Sequence, residues 1–104
     1  MSSLIETRDG REAKLSLKGQ FVGGEETESL QAYFGELSGD ELERLSIDFG
    51  GVTYLNSLAL GVLISGSSKA QRSGIDMWLT EIPKNIMELF ELTKLDKIFN
   101  IKES

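Results

Sequence analysis

The run Val52-Thr53-Tyr54-Leu55-Asn56-Ser57-Leu58-Ala59-Leu60-Gly61 decides how this chain folds. Its first half is apolar and β-rich. It then reaches two residues that favour helix caps, Asn56 and Ser57, and a long, nearly uncharged helical pattern starts at once. A strand feeding directly into a buried helix predicts a βα unit. A serine hydroxyl then lies at the positive end of a helix dipole, as a structural cap or as a group that accepts phosphate.

Working outward, residues 57–72 form the predicted long helix, apolar on more than one side through its first two turns. Ala59, Gly66 and Ala70 recur at helical spacing and predict a close approach to a sheet. Upstream, Leu45, Ile47 and Phe49 alternate with polar residues in a strand that Gly50-Gly51 is expected to end. Ala13, Leu15 and Leu17 mark an earlier strand buried on one face. Residues 4–7, before the Asp9-Gly10 turn signal, pair with it as a hairpin. Between these strands, Leu30, Tyr33, Phe34 and Leu37 line one face of a helix over 25–37, with Glu25, Glu26 and Glu28 in its first turn, read as a solvated helix start.

Downstream, Gly74 breaks the long helix and residues 75–79 form the next strand, an alternating one in which Trp78 is expected as a core residue rather than a ligand platform. Pro83 is expected at the first position of another helix, where its missing N–H is harmless. Residues 97–101 close the chain as a short strand or extended tail. Strands alternating with helices after an opening hairpin predict a single α/β domain over 1–104, with a mixed β-sheet, crossover helices packed mainly on one face and a short C-terminus.

Composition narrows the chemistry. The 104 residues, 39% apolar, suffice for one real core. The chain has no cysteine and no histidine, which removes disulfides, the commonest zinc ligands, and thiol or imidazole catalysis. No metal site and no cofactor are expected. A net charge of -6, with only scattered lysines and arginines, argues against nucleic acid and against an anionic membrane surface. The N-terminus lacks the basic and apolar regions of a signal peptide. The apolar run over 58–64 is far short of the roughly 20 residues that cross a bilayer. The expectation is a cytoplasmic protein whose partners are proteins, with no direct membrane insertion.

The order Leu45-Ser46-Ile47-Asp48-Phe49-Gly50-Gly51-Val52-Thr53-Tyr54-Leu55-Asn56-Ser57-Leu58-Ala59-Leu60-Gly61 resembles the STAS domain, shared by sulphate transporters and anti-sigma-factor antagonists. In that family a strand leads into V-x-Φ-Φ-D-S-S-G-L-G and a helix. Asn56 falls on the motif's Asp, Ser57 on its first Ser, Leu58 on the second Ser and Ala59 on the Gly, while Leu60 and Gly61 match outright. Leu15-Ser16-Leu17-Lys18-Gly19-Gln20-Phe21 is similar to the family's early L-x-G-x-L strand exit. Glu91-Leu92-Thr93-Lys94-Leu95-Asp96-Lys97-Ile98-Phe99-Asn100-Ile101 is close to its L-T-G-L-x-x-I-F-x-I ending, with Lys94 in place of Gly.

The resemblance implies a non-catalytic regulatory binding protein of the anti-sigma-factor-antagonist type. Its partner would be an anti-sigma factor that is also a serine kinase, and ATP and catalysis would belong to that kinase. Ser57 would be the phosphoacceptor, with Tyr54, Asn56, Ser57, Leu58 and Ala59 at the partner surface. Antagonists of the family commonly carry an acid before the phosphorylated Ser and another near the end of the early strand, where this chain has Asn56 and Val22 or Gly23. That missing Asp, and the end of the sequence at Ser104 where many members continue into a last helix, point to an alternative. It is a constitutive STAS assembly subunit of an ABC-type lipid-transport complex. An enzyme ranks last, because no nucleophile–base pair is evident.

Overall fold

A computed structural model describes residues 2–102; of the expected domain over 1–104, Met1, Glu103 and Ser104 lie outside the described residues. Strand β1 (Ser3–Asp9) turns back at Gly10 into β2 (Glu12–Phe21), followed by α1 (Glu25–Gly35), β3 (Arg44–Leu55), α2 (Ser57–Arg72), β4 (Asp76–Thr80), α3 (Lys84–Leu92), a single 3-10 turn (Leu95–Lys97) and β5 (Ile101–Lys102). The strands lie in the order β1-β2-β3-β4-β5. β1 is antiparallel to β2, and all later pairs are parallel.

Because each strand lies beside its predecessor, crossovers of one hand carry every helix to the same face. The alternation of side chains agrees. Ala13, Leu15, Leu17, Leu45, Ile47, Phe49, Met77 and Leu79 are buried under the helices. Their neighbours Lys14, Ser16, Ser46, Asp48 and Thr80 face the other way and stay partly exposed. Trp78 is among these outward residues, half-buried on the open face. Its expected place in the core is therefore corrected: the strand runs over 76–80, and the residues turned inward are Met77 and Leu79.

The largest departure from the sequence pattern is in β3, which does not stop at Gly50-Gly51. Ser16 is opposite Asp48 and Lys18 opposite Gly51, then Gly19 opposite Val52 and Gln20 opposite Tyr54. At both steps β3 uses one more residue than β2, so the strand carries two bulges. Gly51 permits the first, since a Cβ there would lie 3.1 Å from the Leu17 carbonyl oxygen. The bulges change the burial period from two to three, so Phe49, Val52 and Leu55 all reach the core. Thr53 and Tyr54 are left facing solvent.

Gly66 also acts differently from expectation. Its close approach is to α1 rather than to the sheet, for a Cβ there would meet the Phe34 ring at 2.5 Å. Pro83 is the residue before α3, one position earlier than expected, and its carbonyl accepts from Met87 N–H at 2.9 Å. Phe90 of α3 packs edge-on against Phe49 and Phe99, with ring centroids 6.1 and 5.4 Å away. The expected tail over 97–101 resolves into the 3-10 turn and the two-residue β5. Lys94 enters that turn in the left-handed region, φ 61°, where the family pattern has glycine.

Candidate functional site

The paired strands β2 and β3 end side by side, Phe21 opposite Leu55. Asn56 follows at once, and its N–H donates to the Phe21 carbonyl oxygen at 3.1 Å. This anchors the start of α2 at the carboxyl end of the central strands, where α/β folds commonly present their sites. Asn56 is the cap: its Oδ1 accepts from Ala59 N–H at 3.1 Å, and its carbonyl accepts from Leu60 N–H at 3.0 Å.

The choice left open by sequence, whether Asn56 or Ser57 caps the helix, is therefore settled for Asn56. Ser57 is the first helical residue and is exposed. Its hydroxyl, its own N–H and that of Leu58 take part in no hydrogen bond among the described residues. Two amides at the amino end of a 16-residue helix thus point outward beside a free hydroxyl, with no acidic residue in the first turn. Such an end favours an added anion.

Around Ser57 the surface is apolar. Leu58 is 63% exposed, Tyr54 52% and Val22 43%, and all three flank the junction of β2, β3 and α2. A shallow groove of about 400 Å³ runs from Gly23 and Leu58 along α2 past Gly61 and Ser65. Ala59 lies elsewhere. It is fully buried, so its expected role as a partner contact is corrected. Helical geometry turns Ala59 inward, onto the face it shares with Leu63, while Leu58 points out.

The loop between β2 and α1 completes the site, and here sequence reasoning missed a residue. Glu26 is not merely part of a solvated helix start. Its Oε1 accepts from Val22 N–H at 2.9 Å, from Gly24 N–H at 3.1 Å and from the Thr27 hydroxyl at 3.2 Å. Hydrogen bonds from the Val22 and Gly24 amides hold its carboxyl below the ordinary value. The buried Thr27 hydroxyl in turn accepts from Gly23 N–H at 2.9 Å. The sequence carries no signal for it: α1 has no side-chain cap, and Glu26 instead folds back onto the amides of the loop before the helix. Gly23, at φ 92°, lies so close under Leu58 that a Cβ there would be 2.6 Å from the Leu58 Cδ1. Loop and phosphoacceptor candidate are thus in direct contact through Leu58.

No group of three or more acidic side chains capable of holding a metal occurs among the described residues. Among them, too, no helix is long and apolar enough to cross a membrane.

The family model for the STAS domain matches residues 5–104. Among solved structures, a candidate anti-sigma factor antagonist from Thermotoga maritima superposes with a TM-score of 0.83 at 18% identity, covering 97% of this chain and 86% of that one. An anti-sigma factor antagonist from Mycobacterium paratuberculosis gives 0.80 at 20% identity, with 97% and 85% covered. The Bacillus cell fate determinant SpoIIAA in its phosphorylated form gives 0.76 at 11% identity, with 100% and 91% covered. At these identities the likeness is one of fold.

Proposed function

The chain belongs to the STAS domain family, and from that premise we propose that it is a non-catalytic regulatory binding protein of the anti-sigma-factor-antagonist type. It docks an anti-sigma factor that is also a serine kinase, and phosphorylation of Ser57 releases that partner. The observation that carries this reading is the Ser57 hydroxyl, exposed and unbonded at the start of a buried helix because Asn56 holds the cap. Tyr54, Leu58 and Val22 supply the apolar contact surface around it.

A phosphate on Ser57 adds about -1.5 to -2 charges at neutral pH. The Ser57 and Leu58 amides and the helix dipole accommodate it, so the domain stays folded while its surface changes. SpoIIAA, of the same fold, has been solved in a phosphorylated form. A partner that had packed on Leu58 and Tyr54 must then approach or desolvate a dianion. A penalty of roughly 2–4 kcal/mol weakens binding by about 30- to 1,000-fold.

A second reading, a constitutive STAS subunit of an ABC-type lipid-transport complex, is favoured by one observation: Asn56 is neutral where antagonists commonly carry an acid, and its side chain is committed to the cap. A pull-down from the source cells with Ser57→Ala and Ser57→Asp separates the two. Capture of a kinase-like partner by Ser57→Ala but not by Ser57→Asp supports the switch. Equal capture by both overturns it, and capture of transporter subunits by both establishes the second reading.

A further inference from the structure

Trp78, the one tryptophan of the chain, is out of keeping with its surroundings. On the open face of the sheet its neighbours are short or charged: Ser46 lies directly opposite it on β3, and Asp76 and Thr80 flank it on β4. Ser46 is too small to cover an indole, so one flank of the ring stays open. A shallow cavity of about 360 Å³ results, lined by Arg44, Ser46, Asp76, Trp78 and Lys102. The indole joins none of the aromatic pairs of the described residues, which involve Tyr33, Phe34, Phe49, Phe90 and Phe99.

The charges around the ring are also ordered. Arg44 stands at one end, 3.6 Å from Asp76, in an ion pair exposed on both sides. Lys102, in register with Thr80, stands at the other end and has no ion pair among the described residues. Arg44 and Asp76 neutralise each other, so Lys102 gives the lining of this cavity its net positive charge. An open aromatic face, a lysine without an ion pair among the described residues and a cavity of small-ligand size thus lie together on this side of the sheet.

We infer that the open sheet face binds a planar aromatic anion, its ring stacked on Trp78 and its anionic group held by Lys102, the lining cation that no carboxylate pairs among the described residues. Stacking on the indole supplies contact area, and the ammonium selects charge. The cavity is on the face opposite the helices that carry Ser57, so the proposal is independent of the partner-switching reading.

A single tryptophan makes the test direct, because the full-length protein labelled with nitrogen-15 gives one indole N–H signal. The probe is 2-naphthoate, with neutral 2-naphthylmethanol and ringless acetate as comparisons. The expected result is a saturable shift of the indole signal by 2-naphthoate, with the neutral alcohol about two- to fivefold weaker and acetate without effect. Lys102→Ala, at an exposed position, weakens naphthoate binding by the same factor, and the remaining amide spectrum verifies that it folds. Absence of saturation up to about 10 mM, equal binding of the neutral alcohol, or naphthoate affinity unchanged in Lys102→Ala overturns the proposal.

Discussion

Helix α2 contains two glycines whose replacement by alanine has opposite consequences. At Gly61 an added Cβ meets nothing within 4 Å, so Gly61→Ala gains the helix propensity of alanine alone, about 0.8–1 kcal/mol. At Gly66 the same gain is opposed by a clash. The new methyl group would lie 2.5–2.6 Å from three atoms of the Phe34 ring. Ordinary carbon contacts are ~3.5–4.0 Å, so something must move by about 1 Å. One of the clashing atoms is Phe34 Cγ, at the root of the ring, and Phe34 is itself buried in α1, so no flexible tip can swing away. Overpacking of this kind costs about 1–3 kcal/mol, and the whole interface between α1 and α2 must open. The net effect of Gly66→Ala is a loss of up to about 2 kcal/mol. At about 4 °C per kcal/mol for a chain of this size, Tm falls by up to ~8 °C, whereas Gly61→Ala raises it by ~3–4 °C. Thermal and urea unfolding followed by circular dichroism measure both. Equal stabilisation by the two substitutions would refute the close α1–α2 contact.

Other substitutions test single features. Lys94→Gly relieves a left-handed backbone that disfavours an L side chain by about 1–2 kcal/mol. After allowance for the freer unfolded chain, it stabilises by about 0.5–1 kcal/mol in urea unfolding. Asn56→Ala removes the α2 cap and costs about 1 kcal/mol; Asn56→Asp keeps the cap, places a negative charge at the helix start and stabilises by about 0.3–1 kcal/mol at low salt. Glu6 accepts hydrogen bonds from Arg8 at 2.9 Å and from the Tyr33 hydroxyl, and these, the Arg8 bond above all, hold its carboxyl below the ordinary value against the opposing effect of burial. Its contribution is therefore present above the unfolded carboxylate range and lost as pH falls through the lowered folded value. Glu6→Gln is accordingly less stable than the parent chain at pH 7, by less than about 1 kcal/mol for so exposed a pair. The difference closes as the pH falls into the acid range in a series of urea titrations.

The fold was legible because its strands and helices carry clean periods. Ala13, Leu15 and Leu17, or Leu45, Ile47 and Phe49, admit one reading, and residues 57–72 became α2 at both ends. The reading failed where backbone pairing overrode local pattern. Gly50-Gly51 looked like a terminator but forms a bulge, because β2 continues beside it and gives its amides and carbonyls a partner. Trp78 was expected in the core, but it shares the parity of Asp76 and Thr80, so the alternation itself turns it outward while Met77 and Leu79 hold the inward positions. Gly66 was recognised as a close-approach residue with the wrong neighbour, which only tertiary packing decides. Motif order pointed to Ser57 and its surroundings as the candidate site. The division of labour between Asn56 and Ser57 is a matter of which oxygen reaches Ala59 N–H, and the loop role of Glu26 depends on a chain reversal at Gly23-Gly24. Neither is written in residue types alone.

The junction of β3 and α2 gives the site its unity. The strand ends with Leu55 inward and Tyr54 outward beside the start of α2, and the cap by Asn56 leaves the Ser57 hydroxyl free. The decisive measurement is the affinity of the proposed anti-sigma factor/serine kinase partner, isolated, by calorimetric titration, for this chain before and after phosphorylation, with the modified residue located by mass spectrometry. The account predicts a single phosphoryl group on Ser57 and a dissociation constant raised by about 30- to 1,000-fold. Phosphorylation at another residue, or an unchanged dissociation constant with Ser57 fully modified, would contradict it.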